Sequence, residues 1–520
     1  MADYKVLITT SGVGSRLGDL TKLTNKSLVR IGDKPAISHI IDQYAKDVEF
    51  VVTLGHHGEH VKQFLEICYP DHLFTFVEVD DYSSPQSSLL YSISLCNQYL
   101  QQPFIFHACD TILNTEYYNG LNEFSSDWIL GCSSDTSHHY RTFNTRLNNV
   151  IHINEKGEQN FDFAYVGVAG FYDYKSFWQA TENCLSVKSN DLSDCHVINV
   201  MIQAGNKFNF REIKTWLDIG NVDSLRVARS KIPSSFHVLD KNDENIYILN
   251  DYVYKFFSNT KICKNRVLRF EHLHGLVPEL VAYTSNFYKY KYVKGDLLAE
   301  SVNLVKFEEL LTWADSRLWT SKNNPNHKSN CVQFYKVKSL TRFNDFLNKY
   351  SLEDKEEIIN GILVPKFSDM IAKIDFDSLS GDVATSYHGD FILDNILVQN
   401  NSFTLIDWRQ DFNGDIENGD MFYDLAKLNH NLIVNHGMIK DNRFHIRFRE
   451  NEIDCDIDVK KSLVDCRQII VDFCNKKKIN YKKIDIITSL IWINMAPLHE
   501  HPFDMFLYYF GKYNLSLRVK

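Results

Sequence analysis

Lys5-Val-Leu-Ile-Thr-Thr-Ser11-Gly12-Val-Gly14-Ser15-Arg16-Leu17 is the stretch on which the reading of the fold turns. Its first half is an apolar, β-branched run that reads as a buried strand, and its second half breaks into a loop with two glycines. Glycines let the backbone approach a ligand closely, and successive amide N–H groups in such a loop can cradle phosphate oxygens. Arg16 adds a fixed positive charge, and Lys26 follows ten residues later in Thr24-Asn25-Lys26-Ser27. The same strand-like character returns at Glu49-Phe-Val-Val-Thr-Leu54 and Phe104-Ile-Phe-His-Ala-Cys109, with amphipathic stretches between. Residues 1–230 therefore read as an α/β domain with a largely parallel sheet.

Working outward, the 520 residues exceed what one hydrophobic core serves, so more than one domain is expected. The polar segment Ala228–Ser235, which contains Pro233, makes a boundary. Beyond it, Asn245–Leu249 and Asp251–Phe257 read as strands separated by a short Asn-Asp turn. From about Leu304 the pattern is mostly helical, interrupted at Thr385–Asp411 by two short apolar runs around an Asn-Asn-Ser turn, which read as a hairpin. The expected organisation is one domain over 1–230 and a differently folded one over 235–520.

Composition narrows the function class. The most apolar late segment, Ile486–Leu498, is shorter than the run of about 20 residues a bilayer requires, and it holds Asn494. The start, Met1-Ala-Asp-Tyr-Lys5, lacks the pattern of a signal peptide, and eleven cysteines without a CxxC pair fit neither a zinc site nor a disulfide framework. A soluble, cytoplasmic protein without membrane insertion is expected. The net charge of −10 gives no support to a nucleic-acid partner. His56, His57 and His60 lie close together but read as helix-start residues rather than a metal site.

The order of features in the N-terminal part, a strand, then SGVGSRL, Asp19-Leu-Thr21, Asn25-Lys26-Ser-Leu28 and Lys34-Pro35, resembles the nucleotidyltransferases that make nucleotide sugars and CDP-alcohols. The resemblance implies a Rossmann-like, GT-A-like α/β fold. It implies that Lys26 and Arg16 are catalytic and that Ser11, Gly12, Gly14, Ser15 and Ser87 bind nucleotide. Asp110, at the end of a strand, and Asp218, in Trp216-Leu-Asp218-Ile-Gly220, would hold Mg²⁺. The chain departs from the family pattern at Thr10 and Ser11, where Ala or Gly is usual, and at Asn25, where proline is usual. Ser87 and Ser88 stand where a base-reading glycine is often found.

His388-Gly-Asp390-Phe-Ile-Leu-Asp394-Asn395-Ile-Leu, followed by Leu405-Ile-Asp407-Trp408, resembles the catalytic and metal loops of aminoglycoside phosphotransferases and choline kinases. The resemblance covers residues 235–520 and implies a two-lobed, protein-kinase-like α+β domain. Asp390 would orient the acceptor hydroxyl and take its proton, while Asn395 and Asp407 would hold Mg²⁺ against ATP. His388 reads as a loop brace and Asp394 as a solvated turn residue. Asp424-Leu-Ala matches a helix start common after the metal loop. Lys255 is expected to contact the nucleotide phosphates, with Glu271 as its ion-pair partner.

A kinase makes a phosphomonoester and a nucleotidyltransferase consumes one, so the two halves read as consecutive steps on one small molecule. The expected partners are that small-molecule substrate and nucleotides, ATP and a second NTP; CTP is favoured over UTP. A homo-oligomer is an open alternative for the assembly. A single-activity enzyme, a regulatory protein, and an antibiotic-modifying kinase are the other readings. An acidic lining of the substrate pocket would mark the last of these.

Overall fold

In the computed structural model the run Lys5–Thr9 is a strand paired in parallel on both sides, with Glu49–Leu54 and with Phe104–Ala108. Residues 2–84, 87–113, 125–134, 137–186, 191–236, 243–400 and 402–519 are described. The sheet has nine strands in the order Leu73–Glu78, Glu49–Leu54, Lys5–Thr9, Phe104–Ala108, Phe163–Phe171, Trp128–Cys132, Phe208–Ile213, Asn149–Asn154 and Thr142–Arg146. The first four are parallel, while Phe163–Phe171 runs antiparallel to its neighbours Phe104–Ala108 and Trp128–Cys132. Register decides where the chemistry sits. Thr9 lies opposite both Thr53 and Ala108, so the loop after Thr9 and the residues after Ala108 emerge together at the carboxyl ends of adjacent strands.

The chain divides into two compact units, Met1–Thr260 with Val281–Tyr290, and Lys261–Leu280 with Lys291–Lys520. The division falls later than the polar segment at 228–235, for a packing reason. The strands Glu244–Leu249 and Tyr252–Phe257 form the expected hairpin, closed by Asn250 and Asp251 at φ 49° and 62°. With Phe287–Lys291 and Leu280–Tyr283 they make a four-stranded sheet. Tyr247, Tyr254, Phe256 and Phe287 of that sheet belong to the same apolar cluster as Ile8, Phe50 and Phe64 of the first unit. Phe64, on the helix Gly58–Cys68, meets Tyr247 at 5.5 Å, Phe287 at 5.8 Å and Tyr254 at 6.1 Å between ring centroids. The Tyr247 hydroxyl donates to Leu28 O at 2.7 Å, and the Asn286 amide donates to Gln63 Oε1 at 3.0 Å.

The second unit is mostly helical. Its centre is the helix Tyr481–Met495, which buries Ile484, Ile487, Leu490, Ile491 and Ile493. That helix packs against Met421–Asn431 on one side and Phe503–Arg518 on the other. The apolar late segment of the sequence is thus core, and no helix among the described residues is long and apolar enough to cross a membrane. The expected hairpin is present as Ile396–Gln399 paired with Ser402–Leu405. Asn400 at its turn has φ 49°, and Asn401 lies outside the described residues. All eleven cysteines are buried and free.

Phe64→Ala removes the ring that ties the small sheet to the nine-stranded one. It is expected to lower unfolding stability by about 3–5 kcal/mol, read as a shift of the urea midpoint.

Candidate functional sites

The loop after Thr9 is fixed from below by Asn25. Its side-chain amide donates to Thr10 O at 2.8 Å and to His56 O at 2.6 Å, and its Oδ1 accepts the Ser27 amide at 2.9 Å. A proline could fill the space but could make none of these bonds, which gives a physical reason for asparagine here. Thr10 is held in the same way: its hydroxyl donates to Thr53 O at 2.5 Å. Gly14 has φ 68°, a conformation that a side chain disfavours, and a Cβ there would stand 3.0 Å from Lys26 Cβ. Around Gly12 nothing lies within 4 Å of a Cβ position, so this part of the loop is open. Ser15 and Arg16 are exposed. His56 and His57 each direct Nε2 at a backbone oxygen, Thr21 O at 2.8 Å and Lys22 O at 3.0 Å, and so brace the turn.

Asp110 and Asp218 come together through a short antiparallel pair, Thr111–Leu113 with Trp216–Asp218. Asp218 stands opposite Thr111, and the Ile219 amide donates to Asp110 O at 3.0 Å. Gly220 then marks the meeting point. A Cβ on it would lie 3.0 Å from Asp218 Oδ1, 3.2 Å from Arg16 Nη2 and 3.2 Å from Asp110 Oδ2. Lys26 Nζ pairs with Asp110 Oδ2 at 2.8 Å. Burial works against both charges of this pair, but mutual attraction prevails: the lysine is held above its usual value and the carboxyl below its own. Asp218 is pushed the other way, by burial and then by the Asp110 charge beside it. Two carboxylates crowded about one small space form a hard oxygen set that suits Mg²⁺. A bound divalent cation would relieve the repulsion between them.

Ser87 and Ser88 lead into the helix Leu89–Ser94, which Ser88 caps by accepting the Tyr91 amide at 3.0 Å. The Ser87 amide donates to Ser84 O at 3.0 Å, and Ser92 Oγ meets Ser11 Oγ at 3.0 Å. The segment expected to read the base is thus joined to the glycine loop through Ser11. Pro85 and Gln86 lie outside the described residues.

In the second unit, Asp424 organises the loop His388–Asp390. It is fully buried and accepts the His388 amide at 2.8 Å, the Gly389 amide at 2.7 Å and the Trp319 indole at 3.1 Å. Burial raises its carboxyl to about 6. The His388 ring contacts Ile406 O at 3.0 Å and accepts the Asp390 amide at 3.3 Å. Burial holds that imidazole down at about 4, so it is neutral near pH 7. Asp390 Oδ1 pairs with Lys427 Nζ at 2.7 Å. Burial alone would raise this carboxyl; Lys427 reverses the effect and brings it to about 2.

Asn395 donates its amide to Asp390 O at 3.0 Å and Oδ2 at 3.1 Å, which leaves its own Oδ1 as an acceptor. Asp407 has φ 59°, a strain on the order of 1 kcal/mol, and its carboxylate pairs with Arg266. The amide and carboxylate oxygens of Asn395 and Asp407 suit Mg²⁺ as the first pair does. Asp394 differs from the solvated residue expected: it accepts Asn431 Nδ2 at 2.9 Å and lies 3.5 Å from His436.

Lys255 is buried on Tyr252–Phe257, whereas Glu271 is exposed on the helix Thr260–His272. The buried charges of that helix are Arg266 and Arg269 instead. Arg269 donates to Tyr387 O, His388 O, Arg409 O and Ile416 O, and so fixes the same loop that Asp424 holds. Sequence reasoning passed over Lys427, although it lies three residues after Asp424 and therefore on the same helix face. Arg266 and Arg269 carried a similar signal, being three apart. Asn25 carried none, since its bonds are made to backbone distant in sequence.

No family model matches this sequence, and no curated protein sequence matches it. Among solved structures it is similar to a candidate glucose-1-phosphate thymidylyltransferase from Bacillus anthracis, with 23 % identity, 46 % of this chain and 98 % of that one covered, and TM-score 0.39. It is similar to CTP:phosphocholine cytidylyltransferase from Streptococcus pneumoniae, with 18 % identity, coverage of 44 % and 99 %, and TM-score 0.37. A third is the inositol-1-phosphate CTP transferase from T. maritima, with 16 % identity, coverage of 46 % and 98 %, and TM-score 0.38.

Two outcomes test these sites. Gly220→Ala places a methyl group among Arg16, Asp110 and Asp218, and is expected to weaken Mn²⁺ binding in the first unit by at least about tenfold, measured by calorimetry on an Asp407→Ala background. Asp424 has a folded value above its unfolded one, so its contribution to stability is complete below about pH 4 and is lost as pH rises through about 6. Across that window wild type should lose up to about 3 kcal/mol relative to Asp424→Asn, read from urea midpoints at each pH.

Proposed function

We propose that the chain is a bifunctional enzyme. Its second unit phosphorylates a small polar alcohol or sugar with ATP, and its first unit transfers a nucleotidyl group onto the resulting phosphomonoester. CTP is the favoured nucleotide for that second step and UTP the alternative. The products are NDP–X and pyrophosphate, an activated group of the kind used for surface polysaccharide or lipid decoration. The observation that carries this reading is shared by both units. Each unit has two side chains with oxygen donors near charged groups of the kind phosphate chemistry uses: Asp110 and Asp218 with Arg16 and Lys26, and Asn395 and Asp407 with Asp390.

In the first step the acceptor oxygen attacks the γ-phosphorus, the bond to the ADP oxygen breaks, and the hydroxyl proton passes to Asp390. A carboxylate held near 2 does not strip a proton from a resting alcohol. It orients the hydroxyl and receives the proton late, as the new P–O bond raises the acidity of that group. Mg²⁺ at Asn395 and Asp407 would neutralise charge on the β- and γ-phosphates.

In the second step the phosphomonoester is already largely ionised near neutral pH, so no base is needed. Its oxygen attacks the α-phosphorus and pyrophosphate leaves. Arg16 and Lys26 supply fixed positive charge to the departing group, and the amides of Gly12 and Gly14 are available to its oxygens.

The test uses the full chain, Mg²⁺, ATP and each of CTP and UTP with a small-metabolite extract, read by mass spectrometry. Asp390→Asn should lower X–phosphate formation by at least about a hundredfold while NDP–X still forms from supplied X–phosphate. Asp110→Asn should lower NDP–X formation by at least about a hundredfold while X–phosphate accumulates. Loss of both products in either variant would contradict the division of labour.

A further inference from the structure

The surroundings of Asp390 are basic. Lys427, on the helix Met421–Asn431, pairs with Asp390. Arg409 lies against the neighbouring Gly389, where an added Cβ would come within 2.6 Å of Arg409 Cβ. Lys338 Nζ sits 4.3 Å and Arg409 Cζ 5.2 Å from the centroid of one ring, Phe334, and Lys338 is 5.8 Å from Tyr423, one helical turn before Lys427. Arg342 follows Lys338 by one turn on the helix Lys338–Tyr350 and reaches Asp345 only at 3.9 Å.

Few carboxylates answer these cations. Arg409 Nε donates to the backbone oxygen of Asp411, whose carboxylate accepts the Gly414 amide. Among the described residues neither Lys338 nor Arg409 forms an ion pair with a carboxylate. The crowding is felt at Lys338. Burial first, then Arg409, Lys427 and Arg342, push its ammonium well below the usual value, and Asp411 only partly opposes them. Four half-buried cations are gathered here, and only Lys427 has a close carboxylate partner, so a ligand that supplies further negative charge would relieve the crowding.

We propose that the acceptor phosphorylated at Asp390 is an anionic alcohol, whose carboxylate or phosphate group is held by Lys338, Arg342 and Arg409 beside Lys427. The inference rests on the reading of Asp390 as the phosphoryl-transfer site. It runs against a cationic acceptor such as choline or an aminoglycoside, for which an acidic lining would be required. The reaction is the one written above: the acceptor hydroxyl oxygen bonds to the γ-phosphorus, the bond to ADP breaks, and Asp390 takes the proton.

Inorganic phosphate is the probe. It is titrated calorimetrically into the full chain on a Lys26→Ala background, which removes a cation from the other phosphate site. Saturable binding is expected, weakened by at least about tenfold in Lys338→Gln with Arg342→Gln, kept in Lys338→Arg, and unchanged by Arg317→Gln at an exposed position. Absence of binding, or equal binding to the double variant, overturns the inference. In a second arm, a small-metabolite extract is split on an anion exchanger, and each fraction is offered with labelled ATP. Acceptor activity in the retained fraction is expected. Activity in the flow-through overturns the inference and leaves the kinase reading standing. Label in neither fraction, or label that survives Asp390→Asn, counts against the kinase reading, and the phosphate titration then decides the charge argument alone.

Discussion

Pairing of a cation with a carboxylate of the candidate site is the constraint that both units share. Asp110 with Lys26, Asp390 with Lys427 and Asp407 with Arg266 all sit at the edges of packed cores, where an unpaired charge would be costly. The pairs do more than stabilise. Lys26 and Lys427 hold the Asp110 and Asp390 carboxyls below their usual values against the opposing effect of burial. Asp218 is the informative exception. With Asp110 beside it and Arg16 only a minor influence, its carboxyl is raised, and it is the oxygen with most to gain from a metal. A lowered and a raised carboxylate side by side form an asymmetric pair, which a metal ion would bind and level.

Much of the architecture was legible because it is local. Alternating apolar strands, the glycine loop, the Asn250-Asp251 turn and the hairpin before Asp407 are all written in short windows, and each appears where its pattern places it. The motif residues were legible as types at fixed spacing, and the fold brings Arg16, Lys26, Asp110 and Asp218 to one place through strand register. What was not legible depends on contacts distant in sequence. Asn25 looks like a lost proline until its bonds to Thr10 and His56 are seen. On the helix Thr260–His272, Arg266 and Arg269 are the charges turned inward, while Glu271 is exposed. Asp394 looks like turn punctuation and is instead bonded to Asn431.

The division of the chain follows the same logic. A polar, proline-bearing segment at 228–235 has the composition of a linker, and composition is all that a sequence offers at such a point. Packing decides otherwise. The hairpin that follows places Tyr247, Tyr254 and Phe256 in the cluster that already holds Phe64, and Phe287 returns from later in the chain to join them. Cutting at the polar segment would expose those rings. At about 25 cal/mol per Å² of apolar surface, four large aromatic side chains outweigh any preference that the linker composition expresses.

Lys255 lies on this hairpin, on the strand Tyr252–Phe257. Its backbone is therefore positioned by the core of the first unit, through the neighbours Tyr254 and Phe256 that it alternates with. Lys255 is thus held by the folding of the part that carries the glycine loop. Loosening the core around Phe64 should disturb Lys255 as surely as it disturbs the strands beside the glycine loop, because both lean on the same buried rings.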